Sequence, residues 1–492
     1  MNDEDVRPAA AGPPTGPAAA AIPGTAPEVV PDPLPVPTDR VVVAFAGEGA
    51  GVAELSWGQR EIWLAMLRQG WLRMGGTLPL GAEATLDGIA DELAYMMGRF
   101  PTLRTRLRFD AAGRPSQELF AAGEIGLEVY DTPDDEDPSA LASAVEARYL
   151  TTPRDFVAEW PLRMGVVRHR KAPTHLVVIT CHLVTDGAGA AVLSREMRER
   201  PTAPVAGTQM LELARWQQSP AGRRQSANSL RHLEKALRSV VPRRLPASAD
   251  PREPRHWTGE LTSPALNAAV RAISERTGAD SSSVLLALYA IAVSRRGLLR
   301  PAVIRLLSGN RFRPGLANVV GNLVQSGICV LDVVDTTVDE VVRRAQHAAL
   351  AAYKNSYFDP DDELALIDRI AREHGPGAER WSPHTWSFFN DRRTDRRGEE
   401  GSPPVTRDRL RELLDATSFR WVEKKANPYE PLFLHIEQTP DSLLVIVSAD
   451  THHVSPADNE GLTRDMEELG VRAAFDADVP IAGRRLHSSR RP

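Results

Sequence analysis

The segment that most constrains the fold is Cys181-His182-Leu183-Val184-Thr185-Asp186-Gly187, because of what lies on either side of it. Before it runs the unbroken apolar stretch 176–180 within THLVVITCH, and after it Val192, Leu193 and Met197 recur at helical spacing. A continuous apolar run of that length suits a strand covered on both faces, and an Asp-Gly pair ahead of a helical pattern reads as a helix start. Strand, turn and helix in succession predict a layered α/β (α+β) architecture, with a histidine at a strand end and an aspartate at the following helix start. Such a position delivers an imidazole to a crevice on a rigid scaffold.

The same alternation recurs along the chain. Residues 41–45 form a β-branched run, followed by a Gly-rich turn and a helix from Ser56, where Ser56 and Gln59 have capping-box spacing and Ile62, Trp63, Met66 and Leu67 form one apolar stripe. A second helix is predicted over 83–99, with Leu86, Ile89, Leu93 and Met97 on one face. Residues 219–256 interrupt the pattern; they are basic, Pro-rich at their end, and read as a connector with a short helical stretch in the middle. Beyond them come a helix over 281–294, a strand over 303–307, an apolar stretch over 319–334 broken by Gly321 and Gly327, and a helix over 338–354. Trp386, Phe388 and Phe389 read as strand aromatics ahead of a charged loop, and the chain closes with a strand over 443–448 and an amphipathic helix over 456–475. The expected organisation is a disordered Pro/Ala-rich leader at 1–40, an N-terminal lobe at 41–218, the connector at 219–256 and a C-terminal lobe at 257–492.

Composition excludes several classes of function. Ten of the 39 prolines fall in residues 1–40 with eight alanines, a segment unable to bury enough apolar surface to order itself. Two cysteines in 492 residues, Cys181 and Cys329, make no disulfide framework and no metal knuckle, and point to a reducing cytoplasm. A formal charge of -6 gives no general attraction to nucleic acid, so an anionic partner has to meet a local basic patch. No apolar run approaches the ~20 residues needed to cross a membrane.

His182 is the candidate catalytic residue. An imidazole with an ordinary pKa of about 6.5 can take a proton from an amine or hydroxyl nucleophile, typically worth about 10²–10⁴ in rate; a packed histidine at a strand end is the structural alternative. Cys181 admits a covalent alternative, a thiol nucleophile beside His182. Adjacent strand residues point to opposite faces, which argues against a hydrogen-bonded pair. Asp450, His452 and His453 form a further cluster, but adjacent residues rarely chelate one ion and no third ligand has useful spacing, so loop packing or a tunnel lining is expected and no metal site. Arg223, Arg224, Arg231, Lys235, Arg238, Arg243 and Arg244 make 219–256 basic, either as a solvated helix and linker or as a docking patch for an acidic partner.

Several segments together resemble the condensation-domain family of nonribosomal peptide synthetases. The family's core motif has two adjacent His, three variable residues, then Asp-Gly; here His182, Asp186 and Gly187 match and Cys181 stands where the first His is expected. Its Ser-x-x-Gln-x-x-x-Trp motif is matched by Ser56, Gln59 and Trp63. Its Arg-His-x-x-Leu-Arg-Thr motif corresponds to Arg99-Phe100-Pro101-Thr102-Leu103-Arg104-Thr105, followed by Gly113-Arg114-Pro115 and Gln117. Its Gly-x-Phe-x-Asn motif corresponds to Gly321-Asn322-Leu323-Val324-Gln325, preceded by Ser308-Gly309-Asn310-Arg311-Phe312-Arg313-Pro314.

The resemblance implies two chloramphenicol-acetyltransferase-like lobes in a V-shaped pseudo-dimer with the His motif in a central tunnel. It implies acyl transfer from a phosphopantetheine-linked thioester, delivered by a carrier protein or coenzyme A, to an amine, with an alcohol acceptor or a non-catalytic recruiting role as alternatives. His182 would orient or deprotonate the nucleophile, Asp186 would pair with an arginine of the second lobe, Arg311 before Arg313, and Gly187 would permit the backbone turn and leave room at the helix start. Asn390 and Ser308 are candidates for the tunnel or acceptor side. Without an adenylation motif or a phosphopantetheine attachment sequence, the chain is expected to act as a free-standing, cytoplasmic monomer with no bound cofactor.

Overall fold

The computed structural model describes residues 34–240, 245–373, 387–393, 405–426 and 430–481. The chain opens with β1 (Asp39–Ala46), β2 (Gly51–Glu54), α1 (Trp57–Gln69), β3 (Arg73–Pro79), α2 (Leu86–Arg99), β4 (Thr105–Phe109), β5 (Pro115–Leu119) and β6 (Ala122–Thr132). It continues with α3 (Pro138–Thr151), β7 (Leu162–His169), β8 (Ala172–Cys181), α4 (Gly187–Glu199), α5 (Met210–Gln218) and α6 (Pro220–Arg238). The second half comprises β9 (His256–Ser263), α7 (Pro264–Thr277), α8 (Ser281–Arg295), β10 (Ala302–Ser308), β11 (Gln325–Leu331), α9 (Val338–Lys354) and α10 (Pro360–Glu373). It ends with β12 (Ser387–Asp391), α11 (Arg407–Leu414), β13 (Ser418–Lys425), β14 (Leu432–Gln438), β15 (Leu443–Asp450) and α12 (Pro456–Ala473).

These elements make two α/β lobes. The first is built on a five-stranded sheet in the order β1-β6-β7-β8-β3 with a small β2-β5-β4 sheet beside it, and the second on a seven-stranded sheet in the order β11-β10-β12-β14-β15-β9-β13. Each lobe has its own apolar core, one gathered around Leu93, Met97, Val166 and Ile179, the other around α8. Residues 282–294 of α8 are all buried, as expected for a helix apolar on every side. No single helix among the described residues is long and apolar enough to cross a membrane.

Local signals explain the starts of the elements that place the site. Ser56 caps α1 with both arms of the capping box formed, Ser56 Oγ accepting from Gln59 N–H at 3.3 Å and Gln59 Oε1 from Ser56 N–H at 2.9 Å. Helix α1 then runs between the lobes. Trp57 packs edge-on against Tyr357 of the second lobe at 4.8 Å, in a cluster with Met210, Leu213, Leu316, Val319 and Leu323. Gln217 ties this contact down: its Oε1 accepts from Trp57 N–H and its Nε2 donates to the Tyr357 hydroxyl, each at 2.9 Å.

Four expectations are corrected. Helix α2 starts at Leu86 on the Thr85 cap rather than at 83, and β1 takes in Asp39 and Arg40, which had been assigned to the leader. Gly327 does not break the 319–334 stretch; β11 runs through it. The expected connector contains the 19-residue helix α6, directly after the unanticipated α5. Its buried face, Gly222, Ser226, Ser229, Leu233 and Leu237, follows helical spacing, and Leu233 and Leu237 pack with Val303, Ile328, Leu366 and Ile370 of the second lobe. Arg223, Arg224, Arg231, Lys235 and Arg238 occupy its exposed face. Residues 1–33 of the expected leader, Arg243, Arg244, Trp386 and the 394–404 charge run lie outside the described residues.

Docking of α6 makes a quantitative expectation. Leu237→Ala, at a fully buried position, is expected to cost about 2–5 kcal/mol by urea denaturation. A change within about 0.5 kcal/mol, the range of an exposed position, would mean that the helix is not packed on the second lobe.

Candidate active site

Strand β8 ends at Cys181, and the chain then turns through 182–186 into α4. The two adjacent side chains part there. Cys181 is fully buried in the core of the first lobe, beside a void of about 10 Å³, room for a single water at most. Burial pushes its thiol up to about 11, against a smaller opposing effect of the Arg154 charge, so almost no thiolate exists near neutrality. His182 is half-buried on the other side, its N–H donating to Leu72 O at 2.9 Å as a continuation of the β3–β8 ladder.

The imidazole is oriented by its own turn. Nδ1 lies 2.9 Å from the Thr185 carbonyl, which can only accept, so Nδ1 carries the proton and Nε2 keeps its lone pair. Nε2 has no hydrogen-bond partner among the described residues. Asn322 of the second lobe closes over the turn, its Nδ2 donating to His182 O at 2.8 Å and sitting 3.2 Å from Nδ1. Asn322 Oδ1 in turn accepts from Val324 N–H at 3.0 Å, which fixes the amide's orientation.

Asp186 joins the lobes. It caps α4 by accepting from Gly189 N–H at 2.7 Å on Oδ1; the same oxygen meets Arg311 Nη2 at 2.5 Å, and Oδ2 accepts from Leu323 N–H at 3.0 Å. The carboxylate is 1% exposed and Arg311 is itself held by Val319 O at 2.7 Å. Arg313, the second candidate, does not reach Asp186; it lies over the Tyr357 ring at 4.4 Å and donates to Lys354 O at 3.0 Å.

The glycines divide the work differently from the expectation. A Cβ on Gly187 would meet no atom within 4 Å and its φ is not left-handed, so no backbone turn requires glycine there; it leaves open space in front of α4. The tight position is Gly189, where a Cβ would lie 2.7 Å from Thr185 Oγ1 and 3.2 Å from Arg311 Nη2. Spacing gave no signal for Gly189, because two of its three close neighbours, Gly321 O at 3.1 Å and Arg311 Nη2 at 3.2 Å, come from the other lobe.

The remaining candidates lie apart from His182. Ser308, buried at the end of β10, accepts from Asn310 N–H at 3.4 Å and so belongs to the loop that carries Arg311. Asn390, on β12, contacts His435 Nδ1 at 3.3 Å, and His435 stacks on Phe433 at 4.2 Å. Burial, reinforced by Arg392 and Lys425, holds His435 well below the usual histidine range. His452 and His453 pack against the 246–253 segment through Glu253 at 3.3 Å and Pro246 O at 3.3 Å.

A family model described as "Condensation domain" matches residues 79–366. Among curated proteins, the chain is 26% identical over 505 residues to the isonitrile lipopeptide synthase of Mycobacterium tuberculosis, covering 91% of this chain and 19% of that one. It is 25% identical over 327 residues to the nonribosomal peptide synthetase kk1B of Curvularia clavata, covering 62% and 2%. The chain thus spans only a small part of the curated relatives it matches. Among solved structures, the X-domain from teicoplanin biosynthesis superposes with a TM-score of 0.66 at 17% identity, covering 89% of this chain and 98% of that one.

The Asp186–Arg311 pair yields a cycle of substitutions. Asp186→Ala and Arg311→Ala are each expected to destabilise by about 3–5 kcal/mol, the double variant by clearly less than their sum, because each single change strands one buried charge. Strict additivity in denaturant titrations would show that the two groups are not coupled.

Proposed function

The chain belongs to the condensation-domain family, and from that premise we propose that it is a free-standing acyltransferase carrying an acyl or aminoacyl group from a phosphopantetheine-linked thioester to an amine, forming an amide in natural-product biosynthesis. The observation that carries this reading is the Nε2 of His182: an imidazole whose tautomer is set by the Thr185 carbonyl and whose other nitrogen is without a partner. As the acceptor nitrogen attacks the thioester carbon, Nε2 takes the proton that the nitrogen loses. The tetrahedral oxyanion then lies near the first turn of α4, where Gly187 and Ala188 are exposed and backbone N–H groups face outward. Collapse breaks the C–S bond, and the imidazolium returns its proton to the departing thiolate. A hydroxyl acceptor would follow the same course to an ester. Asp186 and Arg311 act as positioning residues and touch no substrate, and Ser308 acts through the Arg311 loop.

On this reading the protein is a cytoplasmic monomer that holds no cofactor of its own. A carrier protein or coenzyme A delivers the donor. The exposed basic face of α6 suits an acidic carrier, since Arg223, Arg224 and Lys235 have no acidic partner among the described residues.

Two measurements check this. Intact-mass assay of an acyl-loaded carrier protein with candidate amines and alcohols is expected to show product with wild type and with Cys181→Ala, and almost none with His182→Ala. Equal product from wild type and His182→Ala would leave a non-catalytic recruiting protein, and loss with Cys181→Ala alongside a trapped acyl-enzyme mass would move the chemistry to the thiol. Separately, Arg223→Glu with Arg224→Glu is expected to raise KM for the carrier-bound donor; a KM unchanged across ionic strengths would remove the docking face.

A further inference from the structure

Along the buried seam between α1 and the second lobe lies a set of charged groups that the acyl-transfer chemistry leaves unused. Glu61, on α1, accepts from Ser326 Oγ at 2.9 Å and from Gln325 Nε2 at 3.3 Å. Ser326 Oγ also receives Arg305 at 2.7 Å, and Arg305 pairs with Glu363 of α10 at 2.6 Å. Gln325, Ser326, Arg305 and Glu363 are all buried, whereas Glu61 keeps accessible surface. Glu61 thus stands at the edge of a buried ionic set and keeps part of its own surface exposed.

This set adjoins the His182 turn. Gly58, one helical turn before Glu61, lies so close to the second lobe that a Cβ would sit 2.5 Å from Asn322 O, and Asn322 is the residue that holds the His182 turn. From Asn322 the chain runs directly to Gln325 and Ser326, a span of at most about 11 Å between Asn322 and Gln325. Glu61 and His182 therefore face the same seam from neighbouring positions.

The charges in this set do not balance. Among the described residues, Glu61 and Glu363 face one cation, Arg305, while Glu430, the next acid along the seam, is already met by Arg68 at 3.1 Å and Gln69 at 3.0 Å. Arg60 is taken up by Asp361 at 2.8 Å. Among the described residues the set lacks one positive charge, and Glu61 is its one member that keeps accessible surface.

We propose that the Glu61 carboxylate recognises a positively charged ammonium group on one of the two substrates, so that this protein selects a cationic acceptor or a donor with a free amino group. The proposal rests on the acyl-transfer reading and names the substrate class for it. An ammonium at Glu61 completes the charge balance, and hydrogen bonds to an ionised partner discriminate by about ten- to a hundredfold. Burial first, and the Glu363 charge second, push Glu61 up to about 7, against the opposing effect of Arg305 and the bonds from Ser326 and Gln325. Glu61 is therefore increasingly ionised as pH rises from 6 to 8, and the preference for a cation grows over that window.

The test compares wild type, Glu61→Gln and Glu61→Asp in two arms. In the acceptor arm, kcat/KM for 1,4-diaminobutane is set against 4-amino-1-butanol with an acetyl-loaded carrier; in the donor arm, glycyl- is set against acetyl-loaded carrier with one neutral amine. Wild type is expected to favour the cationic member of one pair by about tenfold or more, and the arm that shows it identifies the substrate concerned. In Glu61→Gln that ratio falls to about one, and Glu61→Asp, shorter but still anionic, retains part of it, which a merely structural role would not produce. A ratio equal in wild type and Glu61→Gln in both arms overturns the proposal and leaves acyl transfer standing. If no arm gives product, calorimetric titration with 1,4-diaminobutane and glycinamide decides. Binding to wild type that Glu61→Gln loses supports the cation site while acyl transfer falls, and no difference in binding overturns both.

Discussion

Everything at the centre of this molecule hangs on one buried carboxylate. Asp186 accepts three hydrogen bonds from three separate stretches of chain: the first turn of α4, the loop around Arg311, and the backbone at Leu323. A carboxylate taken out of water loses its hydration, and an ion pair in such a place rarely adds net stability over an apolar packing. Its contribution is geometric. With Asp186 joined to the second lobe and His182 N–H joined to Leu72 just before β3, the turn 182–186 is held at both ends, and the imidazole between them has one orientation. The lobes cannot shift relative to one another without moving Asn322, which sits on the same turn.

The seam around this point is built in two materials. Near Trp57 and Tyr357 it is an apolar cluster threaded by the Gln217 amide, which satisfies groups from both lobes. Farther along α1 it becomes ionic, with Glu61 linked to Arg305 through the Ser326 hydroxyl, Arg305 paired with Glu363, and Glu430 close behind. An apolar seam of equal area would bind the lobes at least as well, since desolvated charges offset much of their own attraction. Charges at that place are better explained by what enters the seam than by what holds it shut.

How much of this was legible in the sequence depended on whether the cause was local. The Ser56 cap, the strand before His182, the all-apolar α8 and the closing helix α12 follow from residue types within one or two turns, and all are present. Helix α6 was read as only a short helical stretch for a specific reason: three of its five buried residues are Gly222, Ser226 and Ser229, small residues that carry helical spacing but no hydropathy signal, while its charges and the prolines after it read as linker. Arg311 was reachable only through the ordered motifs, because nothing local couples it to Asp186 across 125 residues. Gly189 and Glu61 were out of reach altogether. Much of what bears on them, Gly321 O and the Arg311 guanidinium beside Gly189 and a second carboxylate near Glu61, is in place only once the lobes have met.

Cys181 shows why a departure from the motif need not disturb the site it belongs to. Strand alternation sends the side chain of 181 into the core of the first lobe and leaves 182 facing the seam, so the two positions answer to different requirements. At 181 the requirement is volume without charge. A neutral buried thiol meets it while leaving a small void, and an imidazole there would need a hydrogen-bond partner in a largely apolar setting. At 182 the requirement is a nitrogen lone pair aimed into open space, which the Thr185 carbonyl secures by holding the proton on the other nitrogen. None of the bonds that orient His182 passes through the side chain at 181. Replacing the family's first histidine therefore leaves the bonds that orient His182 in place.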